Sequence, residues 1–186
     1  PKALRAGTRY LLWQITSGLL LMVGAGLQLH ETGNLAFAPM ALEGAAAWCL
    51  LGAFGIKCAF PLLHTWLVDG YPEATATGTV FLATFSTKTS VYALARVFAG
   101  AEELIWIGAA MTVLPIFYAV IENNLRRVLA YSLMNQLGFM VVGVGIGTET
   151  ALNGTAAHAF AHILYKAVLF MSMGAVLLRT GRINGS

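Results

Sequence analysis

The chain alternates between long apolar runs and short polar punctuation. Six runs, at about 8–29, 44–67, 74–98, 104–121, 128–147 and 151–178, are long enough to cross a membrane. A hydrocarbon core of roughly 30 Å takes about 20 helical residues. The connections between the runs are short and rich in turn formers: ETGN, DGYPE, AGAEE, ENN and GTET. None of the runs shows the strict alternation of a barrel strand, and spanning backbone must satisfy its polar groups within its own segment. The pattern therefore predicts an all-α, polytopic transmembrane helix bundle. Nothing divides it into two domains, so residues 1–186 are read as one transmembrane domain. The first residue is Pro1 and a full spanning run follows PKALRAG, which predicts an internal fragment of a longer subunit and no signal peptide.

Composition agrees with the pattern. Hydrophobic residues make up 58% of the chain and charged residues only 10%, against roughly a quarter charged in a soluble domain. Mean hydropathy is +0.74. Cys49 and Cys58 lie nine apart in one apolar run, too far along a helix to bridge, and have no His or Cys neighbour at metal-ligand spacing. They read as small core residues. No cofactor, metal or nucleic acid is expected.

Charge gives an orientation. One side of the membrane collects Lys2, Arg5, Arg9, Arg126, Arg127, Arg179 and Arg182, and the other only Arg96. That bias predicts that both ends of the chain face the cytoplasm, in a prokaryotic inner membrane, with the arginines anchoring headgroups. Taking those eight from the eleven basic residues leaves three lysines, Lys57, Lys88 and Lys166, all inside predicted spans. Every acidic residue falls in or beside a loop. A lysine at the bilayer centre costs about 2.5–3.5 kcal/mol, so three facing lipid would cost of the order of 8–10 kcal/mol. They are expected to face a protein interior or a watered cavity instead. Burial disfavours the charged form of lysine, and such a group can lose and regain a proton as an opposing charge comes and goes. No carboxylate at that depth is available, so the acidic partner is expected on a helix outside the chain or on a neighbouring subunit.

Two stretches carry the candidate chemistry. In GIKCAFPLLHTWLVDG, Pro61 follows Lys57 by four residues. Proline removes a backbone donor and clashes with the carbonyl four residues earlier, so the helix is expected to kink or break at Lys57. Broken helices at membrane depth are tolerated only beside protein or water, a recurring device of ion transporters. Pro61 and His64 are expected to support the break. In TAAHAFAHILYKAVLF, His158, His162 and Lys166 recur every four residues and form one polar stripe, which suits a proton relay because imidazole accepts on one nitrogen while donating from the other. Packing and snorkelling are the plainer alternatives. Thr84, Lys88 and Tyr92 share a helical face by the same spacing, and Pro115 reads as a structural kink.

With STKTSVYALAR, NNLRRVLAYSLMNQLGFM and HAFAHILYKAVLFMSMG, the stretch IKCAFPLLHTWLVDG resembles the antiporter-like subunits shared by respiratory complex I, membrane-bound hydrogenases and Mrp-type cation/proton antiporters. In that family a lysine, a proline and a histidine precede a Trp-Leu-Pro-Asp turn. Val68 stands where the family has proline, and YPEATATG is closer to the Mrp branch than to the respiratory one, favouring the D-like member of that branch. The resemblance implies about fourteen helices in two inverted five-helix repeats, each with one broken helix, and a midplane line of lysines, histidines and a glutamate. It implies that the chain covers helices six to eleven, with the glutamate on the preceding helix and the second broken helix beyond Ser186.

The implied activity is proton translocation, alone or coupled to Na⁺ or K⁺ exchange, as one membrane subunit among several. Lys57 is the expected switch, Lys88 the acceptor, and His158, His162 and Lys166 the onward path. Redox chemistry, as in an NADH:quinone oxidoreductase or a hydrogenase, would belong to other subunits. Two other readings compete. A haem-binding electron carrier uses histidines in a bundle, but His158 and His162 share one helix and cannot approach one iron from opposite faces. A purely structural membrane subunit gives no reason to keep three costly lysines.

Overall fold

Apolar length and cap chemistry together decide where the helices of the computed structural model, which describes residues 2–185, begin and end. The order is α1 (Lys2–Thr32), α2 (Gly44–Cys58), α3 (Thr65–Glu73), α4 (Ala76–Phe81), a π-helical turn (Leu82–Ser86), α5 (Thr87–Val97), α6 (Glu102–Ile121), α7 (Leu125–Ile146) and α8 (Glu149–Thr180). Among the described residues the only bridge between extended backbone is an isolated one, Asn124 with Asn184. Thr75, Asn124 and Thr148 cap α4, α7 and α8 by accepting backbone N–H bonds from Gly78, from Arg126 and Arg127, and from Ala151. Gly147 closes α7 at φ 69°, a left-handed conformation that favours glycine.

All six apolar runs are helical, as predicted, but they are built in two ways. Helices α1, α6, α7 and α8 are each long and apolar enough to span alone. The run 44–67 is instead split between α2 and α3 by an irregular segment, and the run 74–98 is α4, the π turn and α5 in continuous right-handed helix. The protein is thus an integral membrane helix bundle. Leu12, Met22, Phe117, Val120, Phe160 and Leu178 remain more than half exposed on its outside, an apolar surface suited to lipid or to apolar protein neighbours.

Within the bundle, α6 and α7 are in close antiparallel contact. A Cβ on Gly108 would meet Val142 N at 2.7 Å, and one on Gly138 would meet Thr112 N at 2.7 Å. Small residues at these crossings let two backbones approach, the usual basis of helix association in lipid. Between α1, α3 and α8 runs a series of edge-on rings, Tyr10 to Trp66 at 5.6 Å, Trp66 to Tyr71 at 6.0 Å and Tyr71 to Phe170 at 6.4 Å.

The N-terminal part of α1 and the segment after α8 lie at one face, where Leu125 N donates to Ile183 O at 2.9 Å and Arg9 pairs with Asp69. Arg127 joins them through Glu122 at 3.3 Å and Asp69 at 3.9 Å. Arg126 departs from the headgroup role expected for it. It is 4% exposed and donates to Pro72 O at 2.6 Å, to Ala74 O at 2.9 Å and to Thr79 Oγ1. The reason is local: the turn from α3 into α4 leaves terminal carbonyls without intrahelical partners, and the fork of a guanidinium reaches several of them at once. At the opposite face Arg96 lies over the Phe37 ring, 5.7 Å from its centroid.

Candidate functional site

The break between α2 and α3 is a fully formed helix terminus inside the bundle. Ala59 adopts a left-handed conformation (φ 61°), Ala59 N donates to Ile56 O at 3.1 Å, and Phe60 N donates to Gly55 O at 2.9 Å. This is the paired bonding of a Schellman terminus, with alanine where glycine is usual. The Phe60 ring requires Gly55, because a Cβ at that position would meet it at 2.6 Å. Trp66, fully buried on α3, donates from Nε1 to Ile56 O at 2.9 Å and ties the second half-helix to the end of the first. Pro61 sits just after the terminus, where a residue unable to continue the helix is favoured, and Leu62 (φ 70°) turns the chain.

Lys57 occupies the last turn of α2, part-buried, and its ammonium donates to Gln14 Oε1 on α1 at 2.7 Å. His64 stands at the start of α3 without capping it through its side chain. Its Nδ1 is buried and unpartnered, and with Pro61, Tyr118 and Tyr131 it lines an apolar cavity of about 140 Å³ between the break, α6 and α7.

Lys88 lies two residues after the π turn. Such turns leave the regular bonding ladder locally out of step, and side chains bond to three of its carbonyls, with Thr89 Oγ1 donating to Phe85 O at 2.9 Å. Tyr71 Oη donates to Leu82 O at 2.9 Å, and Lys88 Nζ donates to Ala83 O at 2.6 Å and to Thr87 Oγ1 at 3.3 Å. Lys88 is 8% exposed. The turn also takes Thr84 off the face it was expected to share with Lys88 and Tyr92. Thr84 donates to Val80 O at 2.6 Å, and Tyr92 points outward against Phe37. Cys58, beside Lys57 and fully buried on α2, lies within electrostatic reach of Lys88.

The π turn packs on α8, which carries the predicted stripe. His162 is fully buried with neither ring nitrogen bonded, and Lys88 and Lys166 are both within electrostatic reach of it. Its ring meets Tyr165 edge-on at 5.0 Å and His158 at 6.2 Å. Lys166, 1% exposed, donates to Ser132 Oγ at 2.9 Å and Leu129 O at 3.4 Å on α7. His158 Nε2 bonds Gln136 Oε1 at 2.9 Å. The bundle thus brings Lys88, His162 and Lys166 together, with His158 one turn away. Lys57 turns back toward α1, and His64 faces the apolar cavity. Among the described residues no ion pair involves any of the three lysines.

A model of the family described as NADH:quinone oxidoreductase/Mrp antiporter, transmembrane, matches residues 1–184. The chain belongs to that family. It is 32% identical over 199 residues to an NAD(P)H-quinone oxidoreductase chain 4 of a Synechococcus species, covering 97% of this chain and 38% of the relative. To the NADH-quinone oxidoreductase subunit N of Desulforudis audaxviator it is 31% identical over 201 residues, covering 97% and 40%. The chain therefore spans about two fifths of the length of these curated relatives. Among solved structures, it is similar to a chain of the Mrp complex from Dietzia (TM-score 0.84, 26% identity, 93% of this chain and 35% of the other). It is also similar to one of respiratory complex I from Thermus thermophilus (TM-score 0.82, 25% identity, 93% and 40%). Matches thus fall in both the complex I and the Mrp branches of the family.

Several residues that hold the site are invisible to a search for ionisable groups. Gln14, Ser132, Asn135 and Gln136 are neutral, and each is the partner of a residue that the sequence does single out or lies one bond further on. Their signal is polarity inside spans: WQITS in the first run and SLMNQLG in the fifth.

Proposed function

We propose that this chain is the central part of a proton-translocating, antiporter-like subunit, and that the proton path runs through Lys57, Lys88, His162 and Lys166, with His158 beside it. The reading is carried by one observation: three lysines and a fully buried histidine lie inside an apolar bundle without a single carboxylate partner among the described residues. A protein that needed only to pack would not keep them. Lys57, in the last turn before the break, is the switching group. An approaching carboxylate holds its ammonium, and withdrawal of that carboxylate releases the proton through water to the amine of Lys88. Lys88 then passes one proton toward His162 and Lys166. The carboxylate comes from a part of the full-length subunit outside these residues, or from a neighbouring subunit. Pro61 and His64 hold the break open.

The family places its members in multisubunit membrane assemblies, which supports other membrane subunits as partners of this chain. Coupling of the proton to Na⁺ or K⁺ exchange belongs to the same proposal, as do a prokaryotic inner membrane and cytoplasmic ends, the last resting on the Lys and Arg bias of one face. The test is Lys57→Ala in the full-length subunit within its assembled complex, with proton movement followed by dye quenching in inverted vesicles. The expected result is at least a tenfold loss of proton translocation with assembly intact. Unchanged translocation would sink the assignment.

A further inference from the structure

Thr112 O, Asn135, Gln136 and His158 form a hydrogen-bond ladder across α6, α7 and α8. Asn135 Nδ2 donates to Thr112 O at 2.7 Å, Gln136 Nε2 donates to Asn135 Oδ1 at 2.9 Å, and Gln136 Oε1 meets His158 Nε2 at 2.9 Å. Tyr165 Oη adds a second donor to the same Gln136 oxygen at 3.3 Å. We infer that this ladder has a fixed direction and that Gln136 is a positioning residue, holding His158 as the tautomer that carries its proton on Nε2 and leaves Nδ1 as the basic nitrogen.

The direction follows from the one member that cannot be reversed. A backbone carbonyl has no proton and can only accept, so Asn135 must turn its Nδ2 toward Thr112 and its Oδ1 toward Gln136. Gln136 must then offer Nε2 to that oxygen, since two amide oxygens facing each other repel and leave both without a donor. Its Oε1 is consequently the atom presented to His158, and an amide oxygen accepts only. His158 can satisfy it in a single way, by donating from Nε2. Flipping either amide alone would set oxygen against oxygen or nitrogen against nitrogen. Flipping both would set Asn135 Oδ1 against the Thr112 carbonyl.

Nδ1 of His158 makes no hydrogen bond to any described residue, so it is the nitrogen at which the ring can gain a proton. Adding one there leaves Nε2–H donating to Gln136 as before, and the ring charges and discharges without any partner moving. His158 lies one turn from His162 on the same stripe, with ring centroids 6.2 Å apart. Resting on the proton path proposed above, the ladder then adds a restriction: protons reach and leave His158 through Nδ1 only, because Nε2 is committed to Gln136.

The tautomer itself can be read without any transport measurement. The full-length subunit in its assembled complex, labelled with nitrogen-15 in the histidine rings and reconstituted in lipid, is examined by solid-state NMR. His158 is identified as the signals lost in His158→Gln. The expected spectrum at neutral pH shows a protonated Nε2 and a bare Nδ1. Gln136→Leu removes the acceptor and is expected to lower the ratio of Nε2–H to Nδ1–H forms by roughly tenfold, the weight of one buried hydrogen bond. Gln136→Glu retains an acceptor oxygen and keeps Nε2 protonated. A wild-type spectrum with the proton on Nδ1, or a ratio unchanged within twofold in Gln136→Leu, overturns the inference. Should Gln136→Leu fail to assemble, the wild-type and Gln136→Glu spectra decide it. Proton movement by His158→Gln bears on the relay alone, so failure of the path and failure of the tautomer assignment are told apart.

Discussion

Replacing Arg126 by methionine separates two opposed accounts of the same residue. If Arg126 only anchors headgroups, as its place in a basic loop suggests, Arg126→Met should change stability by at most about 0.5 kcal/mol and mainly through the anionic lipid content. The buried geometry demands more. Bonds from a charged donor contribute about 1.5–3 kcal/mol each. Two of the Arg126 bonds, to Pro72 O and Thr79 Oγ1, are buried. The bond to Ala74 O is only part-buried, and that to Thr75 O is 3.5 Å long, so water can replace both. The two buried bonds give about 3–6 kcal/mol. Removing the guanidinium also relieves its desolvation, which returns part of this and leaves a loss of roughly 2–4 kcal/mol. At about 2–4 °C per kcal/mol for a chain of this length, and about half of that or less in the full-length subunit, the midpoint of thermal unfolding should fall by at least about 2 °C. The assay is thermal unfolding of the purified full-length subunit, wild type against Arg126→Met, with Thr79→Val and the double variant completing a cycle. A coupling of at least about 0.5 kcal/mol between Arg126 and Thr79 is expected. A midpoint within about 1 °C of wild type, responsive only to lipid charge, would refute the pinning of the α3–α4 turn.

Trp66→Phe removes the indole donor to Ile56 O while keeping a ring in the series between Tyr10 and Tyr71. Since Ile56 O still accepts from Ala59 N, the loss should be about 1 kcal/mol, read as roughly fivefold faster hydrogen exchange at the Ala59 and Phe60 amides; unchanged exchange would mean that the break is held without Trp66. At the loop between α6 and α7, the backbone N–H of Asn124 and then the Arg127 guanidinium hold the Glu122 carboxyl below the usual carboxylate range. A depressed acid stabilises the fold at neutral pH and loses that effect as pH falls through its folded-state value, so the stability gap between wild type and Glu122→Gln should close on acidification, and a gap that widens would contradict the assignment.

The helical runs, the break near Lys57 and the shared face of the α8 stripe were legible in the sequence because each follows from a local rule: apolar length, proline sterics, helical period. The π turn was not. Its carbonyls are bonded by Tyr71 from another helix and by Lys88 itself, contacts that a regular helical period does not announce, and a period of 3.6 carried through it places Thr84 wrongly relative to Lys88. The neutral partners were equally hidden, because a glutamine in a span is a weak signal until a lysine from another helix is found against it. Arg126 misleads for a related reason: its neighbours in sequence are loop residues, whereas its partners lie about 50 positions earlier in the chain.

Interruptions of the helical ladder and buried donors occur together in this bundle, and each makes the other tolerable. Carbonyls freed at membrane depth need donors that lipid cannot supply. Trp66 supplies one at the break, and Tyr71 and Lys88 supply the π turn. Seen from the donors, a buried ammonium with no carboxylate nearby depends on such oxygens. Lys88 finds Ala83 O and Thr87 Oγ1, and Lys166 finds Ser132 Oγ and Leu129 O. Lys57 has only Gln14 Oε1, a single neutral acceptor for three N–H bonds. An added carboxylate acts on a group only through a difference between its two states, and at the break it would meet an ammonium with two N–H bonds still free to receive it, which is the geometry that the proposed switching role of Lys57 requires.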